Sequence, residues 1–216
     1  MKTPNHCARR SDYLLAFFII VLMQSVTPAA TAGAEDDSPY RELVKRVSGG
    51  DLSIDFRVFR LECSKASSCD PKGDSKDVAS MHRAMQEKHY DTAAKIAQKL
   101  IAKGFVNIDA HAVCSQAYAA SNNPEKAKFH KDVTSALIRS ILATGDGKTK
   151  ETAFEVIGTH EEHIIMSVLG LPPFGRQSLI AGKPHSYDLL EVENPKMGEK
   201  VTVYFNIDPF FPMKGL

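Results

Sequence analysis

The residues with the most chemical potential form one short cluster, His160-Glu161-Glu162-His163. A helical zinc hydrolase needs two histidines four residues apart, with a glutamate beside the first one. Here the histidines are three residues apart, and in a strand, which we predict for residues 163–169, that spacing sends their rings to opposite faces. We therefore predict a turn over residues 158–162, with turn carboxylates and solvent-exposed histidines, and no metal site.

Other motifs imitate known sites without meeting their requirements. Gly145-Asp146-Gly147-Lys148-Thr149 resembles a phosphate loop, but Leu142 occupies the place of a required glycine. Residues 50–59 resemble the tail of a calcium loop, but Val58 occupies the position of the bidentate carboxylate. The sequence has no Gly-x-Ser-x-Gly elbow and no cysteine in a basic setting. We predict no catalytic residue and no cofactor.

The first residues have the three parts of a secretory signal. Lys2, Arg9 and Arg10 precede an apolar segment over residues 14–26, and small residues follow up to Ala34. This segment of thirteen residues is shorter than the ~20 residues that cross a bilayer as a helix. We predict a signal peptide over residues 1–34, cleaved after Ala32 or Ala34, export to the periplasm or beyond, and no stable membrane insertion after cleavage.

Charge and composition exclude one class of partner. The net charge of +1 becomes about −1 without residues 1–34, which contain three basic residues and one acidic residue. The sequence has no tryptophan and no basic stripe, so a nucleic-acid surface is not expected. Residues 35–216 are long enough for one domain with its own core or for two small domains that share an interface, and we predict a single domain.

The cysteines after the predicted cleavage site fall into two groups. Cys63 and Cys69 flank a short polar loop, and in an exported protein we predict a disulfide between them, with two free thiols as the alternative. Cys114 lies within an apolar stripe, which favours a buried small side chain over a reactive thiol.

The longest helical pattern covers residues 76–143. Its central stripe contains Ala110, Val113, Cys114, Ala117 and Tyr118 at helical spacing. Similar stripes before and after it predict four helices, preceded by a short helix near residues 40–47 and another capped by Ser53. Ala93 and Ala127 occupy equivalent places in two helix pairs and are 34 residues apart, the tetratricopeptide period. We predict tetratricopeptide-like hairpins.

Short apolar runs broken by turns replace the helical period over residues 150–210. They predict strands over residues 153–157, 163–169, 177–180 and 187–192. In the last strand Val201, Val203, Phe205 and Ile207 alternate with polar residues. We predict an α+β protein, in which an N-terminal helical half packs on one face of a C-terminal antiparallel sheet.

An ordered series of short motifs across residues 35–216 resembles bacterial exported proteins of domain-of-unknown-function family 4919. The motifs are Gly50-Asp51-x-Ser53, Phe59-Arg60, Gly145-Asp146-Gly147, Thr152-Ala153-Phe154-x-Val156-Ile157, Glu161-Glu162, Gln177-x-Leu179, Tyr187-Asp188-x-Leu190-x-Val192 and Tyr204-Phe205-Asn206-Ile207. The sequence departs from the family at His163, where an aromatic residue is expected, and at Cys63 and Cys69, where tyrosines are more usual. The resemblance implies an exported protein of this architecture and no particular mechanism.

Glu161, Glu162 and Asp188 belong to these motifs and fall outside the apolar pattern. One interpretation gives them turn or cap roles, and the other makes them a polar binding patch where the sheet meets the helices. The leading hypothesis for function is a non-catalytic module that binds a peptide or an envelope protein between helices and sheet. The alternative is a hydrolase that uses Glu161 or Glu162 with a histidine, around a metal or with carboxylates alone.

Overall fold

Helices precede strands along most of the chain. The computed structural model describes residues 38–182 and 184–211; the predicted signal peptide lies outside them. Within that part of the chain there are seven helices and four strands. They are α1 (Ser38–Ser48), α2 (Phe56–Lys65), α3 (Ser75–Gln86), α4 (Tyr90–Lys103), α5 (Ile108–Ala120), α6 (Pro124–Leu142), β1 (Phe154–Glu155), α7 (Thr159–Val168), β2 (Arg176–Ile180), β3 (Tyr187–Glu193) and β4 (Lys200–Asn206).

Short polar side chains begin several of these helices. Asp55 caps α2 by accepting hydrogen bonds from the backbone N–H groups of Arg57 and Val58. This corrects the predicted cap, because Ser53 instead donates its hydroxyl to Asp51 in the preceding turn. Asn107 caps α5 in the same way as Asp55 caps α2.

The four helices from α3 to α6 lie where the periodic pattern predicts them. Each packs against the next along the chain, and α3, α4 and α5 share a cluster of small and aliphatic side chains. Cys114 is buried in that cluster, where burial raises the pKa of its thiol to about 12. The side chain is therefore a small apolar group, as predicted. The tetratricopeptide likeness of these hairpins stays a prediction.

The sheet is mixed, which corrects the prediction of an antiparallel one. Its strand order is β1-β4-β3-β2, and β1 runs parallel to β4 while the other neighbours are antiparallel. A parallel pair needs a crossover connection. The helix α7 follows β1 directly and lies within that connection.

The predicted strand over residues 163–169 is wrong, because these residues belong to α7 and the turn that ends it. A short apolar run such as Ile164-Ile165-Met166 fits a buried helix as well as a strand. Ile165 and Met166 are completely buried in α7. Gly170, at φ 71°, ends the helix in the left-handed conformation that glycine adopts without strain.

The predicted packing of the helical half on the sheet is confirmed. One core cluster joins side chains of α1, α2 and α6 with side chains of α7 and the strands. Val203, Phe205 and Ile207 face this core, as their alternation predicts. None of the helices described is long and apolar enough to cross a membrane.

The predicted disulfide is confirmed. Cys63 and Cys69 are bonded, with their Cα atoms 5.4 Å apart. Cys63 is buried near the end of α2, so the bond attaches the loop after the helix to the core. The phosphate-loop imitation proves to be a polar turn, in which Asp146 accepts hydrogen bonds from the Lys148 N–H and the Thr152 hydroxyl.

Candidate functional site

A fully buried ion pair joins α2 to α7. Arg60 donates from Nε to Glu161 Oε1 at 2.8 Å and from Nη2 to Glu161 Oε2 at 2.7 Å. Both side chains have no exposed surface. Arg60 lies four residues after Phe56 and three before Cys63, and therefore on the apolar face of α2. A charge at such a position requires a buried partner, which Glu161 supplies.

The remaining hydrogen bonds of this pair reach two more elements. Arg60 Nη2 also donates to the Glu155 carbonyl in β1 at 2.7 Å, and Nη1 donates to the Ser140 hydroxyl in α6 at 3.4 Å. The Ile157 N–H donates to Glu161 Oε2. The pair therefore connects four elements, α2, α6, α7 and β1, and Arg60 and Glu161 have a structural role here.

A second buried pair, made of two acidic residues, lies between α7 and the sheet. Glu162 is fully buried, and neither of its carboxyl oxygens has a hydrogen-bond partner among the residues described. Asp188, on the inward face of β3, is also buried and accepts a hydrogen bond from the Gln177 amide at Oδ2. Burial, followed by the charge of Asp188, raises the pKa of Glu162 to about 8. Glu162 is therefore largely protonated at neutral pH.

The histidines of the cluster lie on α7 and not on a strand, so the argument from opposite strand faces does not apply. His160 Nε2 is buried without a hydrogen-bond partner, and burial lowers the pKa of this histidine. His163 is partly buried and packs on Phe174, with the ring centroids 4.6 Å apart. Both histidines are at least partly buried, so the expectation of solvent-exposed histidines is wrong.

Glu161, Glu162 and Asp188 are thus in the core, and the predicted turn over residues 158–162 is the first turn of α7. The structure brings Glu162 and Asp188 together and ties Glu161 to Arg60. Within the described part of the chain, no group of three or more His, Cys, Asp or Glu residues is arranged to hold a metal ion. Whether the three acids take part in binding stays a prediction.

A groove of about 950 Å³ lies between the helices and the other face of the sheet. The register places Glu155 of β1, Asn206 of β4 and Tyr187 of β3 side by side across three strands. Their neighbours Phe154 and Phe205 face the core. All three of the first group line the groove, so one face of the sheet packs into the core and the other forms the floor of this groove.

The walls of the groove come from the chain before α2, the start of α2, the end of α6 and the loop between α6 and β1. Apolar lining is provided by Leu52, Ile54, Phe56, Ala136 and Ala143. Charged lining is provided by Asp55, Arg57, Arg139, Lys150, Glu151 and Glu155. The volume and the mixture of apolar and polar groups are those of a ligand site, which typically has ~300–1,000 Å³.

The charges in this groove are unequally satisfied. Arg57 donates two hydrogen bonds of 2.8 Å to the two carboxylate oxygens of Glu155, and this raises the pKa of Arg57. Asp55 is occupied as the cap of α2. Arg139 and Lys150 make no ion pair with any residue that the structure describes. These two cations are available to a carboxylate or carbonyl group of a ligand.

Sequence reasoning missed the residues that form the groove and the partner of Glu161. Arg60 could have been found, because an arginine on the apolar stripe of a helix signals a buried ion pair. Asp188 gave a similar signal, since it alternates with the inward-facing Leu190 and Val192. The groove lining had no such signal, because Ala143, Lys150 and Asn206 are ordinary surface residue types.

Comparison with known proteins gives one result. The family model described as Domain of unknown function (DUF4919) matches residues 39–214. No curated protein and no solved structure matches the chain.

Proposed function

Because this chain belongs to the DUF4919 family, whose description assigns no activity, we propose its function from the groove: it is an exported, non-catalytic protein that binds a peptide or an extended protein segment there. The observation that carries the proposal is the groove of about 950 Å³ between α2, α6 and the outer face of the sheet. The groove lies between helices and sheet, and Glu161, Glu162 and Asp188 are not among the residues that line it.

The lining supports a peptide more than a purely apolar ligand. Leu52, Ile54 and Phe56 form an apolar surface for one anchoring side chain. Tyr187 and Asn206 present polar groups from the floor, and Arg139 and Lys150 add cations. A peptide supplies both an apolar side chain and the carbonyl and carboxylate oxygens that these groups bind. An envelope protein with an exposed acidic segment is the proposed partner.

Export is the second part of the proposal. It is supported by the three-part N-terminal signal and by the disulfide between Cys63 and Cys69, since disulfides persist mainly in oxidising compartments. Fusing the full chain to alkaline phosphatase, which is active only outside the cytosol, tests it. We expect phosphatase activity in a bacterial host and its loss when residues 1–34 are deleted. Equal activity of both fusions would refute export by this segment.

The groove is tested by filling it. Ala143 is exposed at the end of α6 and lines the groove, so Ala143→Trp occupies space that a ligand needs. Peptides selected by phage display on the purified protein are measured for binding by fluorescence anisotropy. We expect Ala143→Trp to weaken their binding about tenfold or more, a loss of ~1.4 kcal/mol.

Ala120→Trp is the matched control, because Ala120 is exposed at the end of α5 and away from the groove. We expect its peptide affinity to equal that of the wild type. Selected peptides that bind both tryptophan variants as tightly as the wild type would show that the groove is not the binding site.

A further inference from the structure

A second pocket, of about 550 Å³, lies between α1, α4 and α6. Its walls include Val44, Ile101 and the aromatic ring of Phe105, and Lys103 lies in the lining. His130 of α6 also contributes to the lining, although its side chain is buried. The pocket shares no residue with the groove between helices and sheet.

The hydrogen bonds behind His130 determine where its proton lies. His111 Nε2 is 2.9 Å from the Phe105 carbonyl oxygen, which can only accept, so Nε2 of His111 carries the proton. In a neutral imidazole the other nitrogen is then an acceptor. His111 Nδ1 is 2.9 Å from His130 Nδ1, so His130 Nδ1 must donate the proton of this bond.

Both rings are neutral, as this arrangement requires. Burial lowers the pKa of His111 to about 3, with His130 as the second cause. Burial, followed by the charge of Lys126, lowers the pKa of His130 to about 4. A neutral His130 that donates from Nδ1 has a lone pair on Nε2. Nε2 has no hydrogen-bond partner among the described residues. It is not among the fully buried polar atoms that lack a partner, so it keeps some solvent-accessible surface.

We propose that this pocket binds a small aromatic acid with a hydrogen-bond donor on its ring, the donor meeting His130 Nε2 and the acid meeting Lys103. The fixed tautomer makes His130 an acceptor, which selects an O–H or N–H group. Phe105 and Ile101 line the pocket and offer apolar surface to the ring of the ligand. The ammonium group of Lys103 has only a 3.8 Å contact to Asp77, and a carboxylate of the ligand binds it instead.

The tautomers are tested by long-range ¹H–¹⁵N NMR of the imidazoles in the purified protein. We expect the Nε2–H form for His111 and the Nδ1–H form for His130. The probe is 4-hydroxybenzoate, and its titration is expected to shift the Nε2 resonance of His130 and to leave that of the exposed His82 unchanged. Benzoate, which lacks the hydroxyl donor, is expected to bind about tenfold more weakly.

Three variants test the acceptor and separate this pocket from the groove. His130→Phe keeps a ring but removes the acceptor, so the affinity for 4-hydroxybenzoate should fall to that for benzoate. Ala102→Trp, at an exposed position in the pocket lining, should abolish binding of both acids, while Ala143→Trp in the groove should leave it unchanged. An Nε2–H tautomer of His130, equal affinity for both acids, or full binding by Ala102→Trp would overturn the proposal.

Discussion

Two arginines of α2, one turn apart, make the same kind of contact in opposite surroundings. Arg57 and Arg60 each donate two hydrogen bonds to both oxygens of one glutamate. The Arg57 side chain is 52% exposed at the groove, whereas Arg60 and its partner Glu161 have no exposure. The comparison teaches that geometry alone does not set the importance of an ion pair. Burial makes the inner pair costly to break, whereas solvent screens the outer pair and reduces its contribution to stability.

The largest expected loss of stability comes from breaking the buried pair, and breaking the exposed pair gives the comparison. Arg60→Met leaves Glu161 as an unpaired buried charge, so we expect the free energy of unfolding to fall by ~3–5 kcal/mol. Arg57→Met is the matched control on the same helix and should cost less than ~1 kcal/mol. Urea unfolding measures both values. Similar losses in the two variants would contradict the role that we assign to burial.

The next effect concerns Glu162, the buried acid that has no arginine. Its pKa is raised from 4.5 to about 8 in the folded protein. The contribution of protonated Glu162 to the free energy of unfolding is therefore complete below pH 4.5 and is lost as the pH rises through 8. Glu162→Gln cannot ionise, and it removes this dependence. Between pH 5 and 8 we expect the wild type to lose roughly 3 kcal/mol relative to the variant.

The measurement is the free energy of unfolding at several pH values for both proteins, so that the contributions of His111 and His130 cancel. Those two histidines have lowered pKa values. Their contribution to the stability of the fold is present above pH 6.5 and is lost as the pH falls toward 3 to 4. Glu199→Gln, in the exposed turn before β4, is the control and should follow the wild type. A constant difference between wild type and Glu162→Gln would rule out a protonated Glu162.

The smallest effect concerns the disulfide, three residues after Arg60 in α2. Its short loop restricts the unfolded chain, so replacing Cys63 and Cys69 together by alanine should cost about 2 kcal/mol. Thermal and urea unfolding of the double variant measure this. A loss larger than that of Arg60→Met would mean that the covalent bond, and not the ion pair, secures α2.

The sequence predicts the periodic parts of this fold and misses those whose partners are distant. The helices from α3 to α6 were predicted because each repeats an apolar stripe over several turns. The helix α7 was mistaken for a strand because it has only ten residues, two of them buried glutamates that interrupt the stripe. The contact between Arg60 and Glu161 spans 101 residues, so no local pattern indicates which acid pairs with the arginine.

The candidate site, like the fold, could be predicted from the sequence only in part. The predicted layers indicate a surface between helices and sheet, whereas the groove has the outer face of the sheet as its floor, so its lining depends on which face of each strand turns inward. The parallel pairing of β1 with β4 determines which residues share the outer face, because it places Glu155 beside Asn206. A short strand such as Phe154–Glu155 gives too little alternation to reveal its partner.

The parallel pairing of β1 and β4 also bears on how the chain acquires its structure. The paired residues Phe154 and Phe205 are about fifty positions apart, and β4 is the last strand in the described part of the chain. During synthesis or translocation the sheet therefore lacks its second-to-outermost strand until residues 200–206 have emerged. A protein shortened before Lys200 would keep the helix hairpins but expose the buried face of α7. Chaperones and proteases would therefore recognise the shortened protein readily.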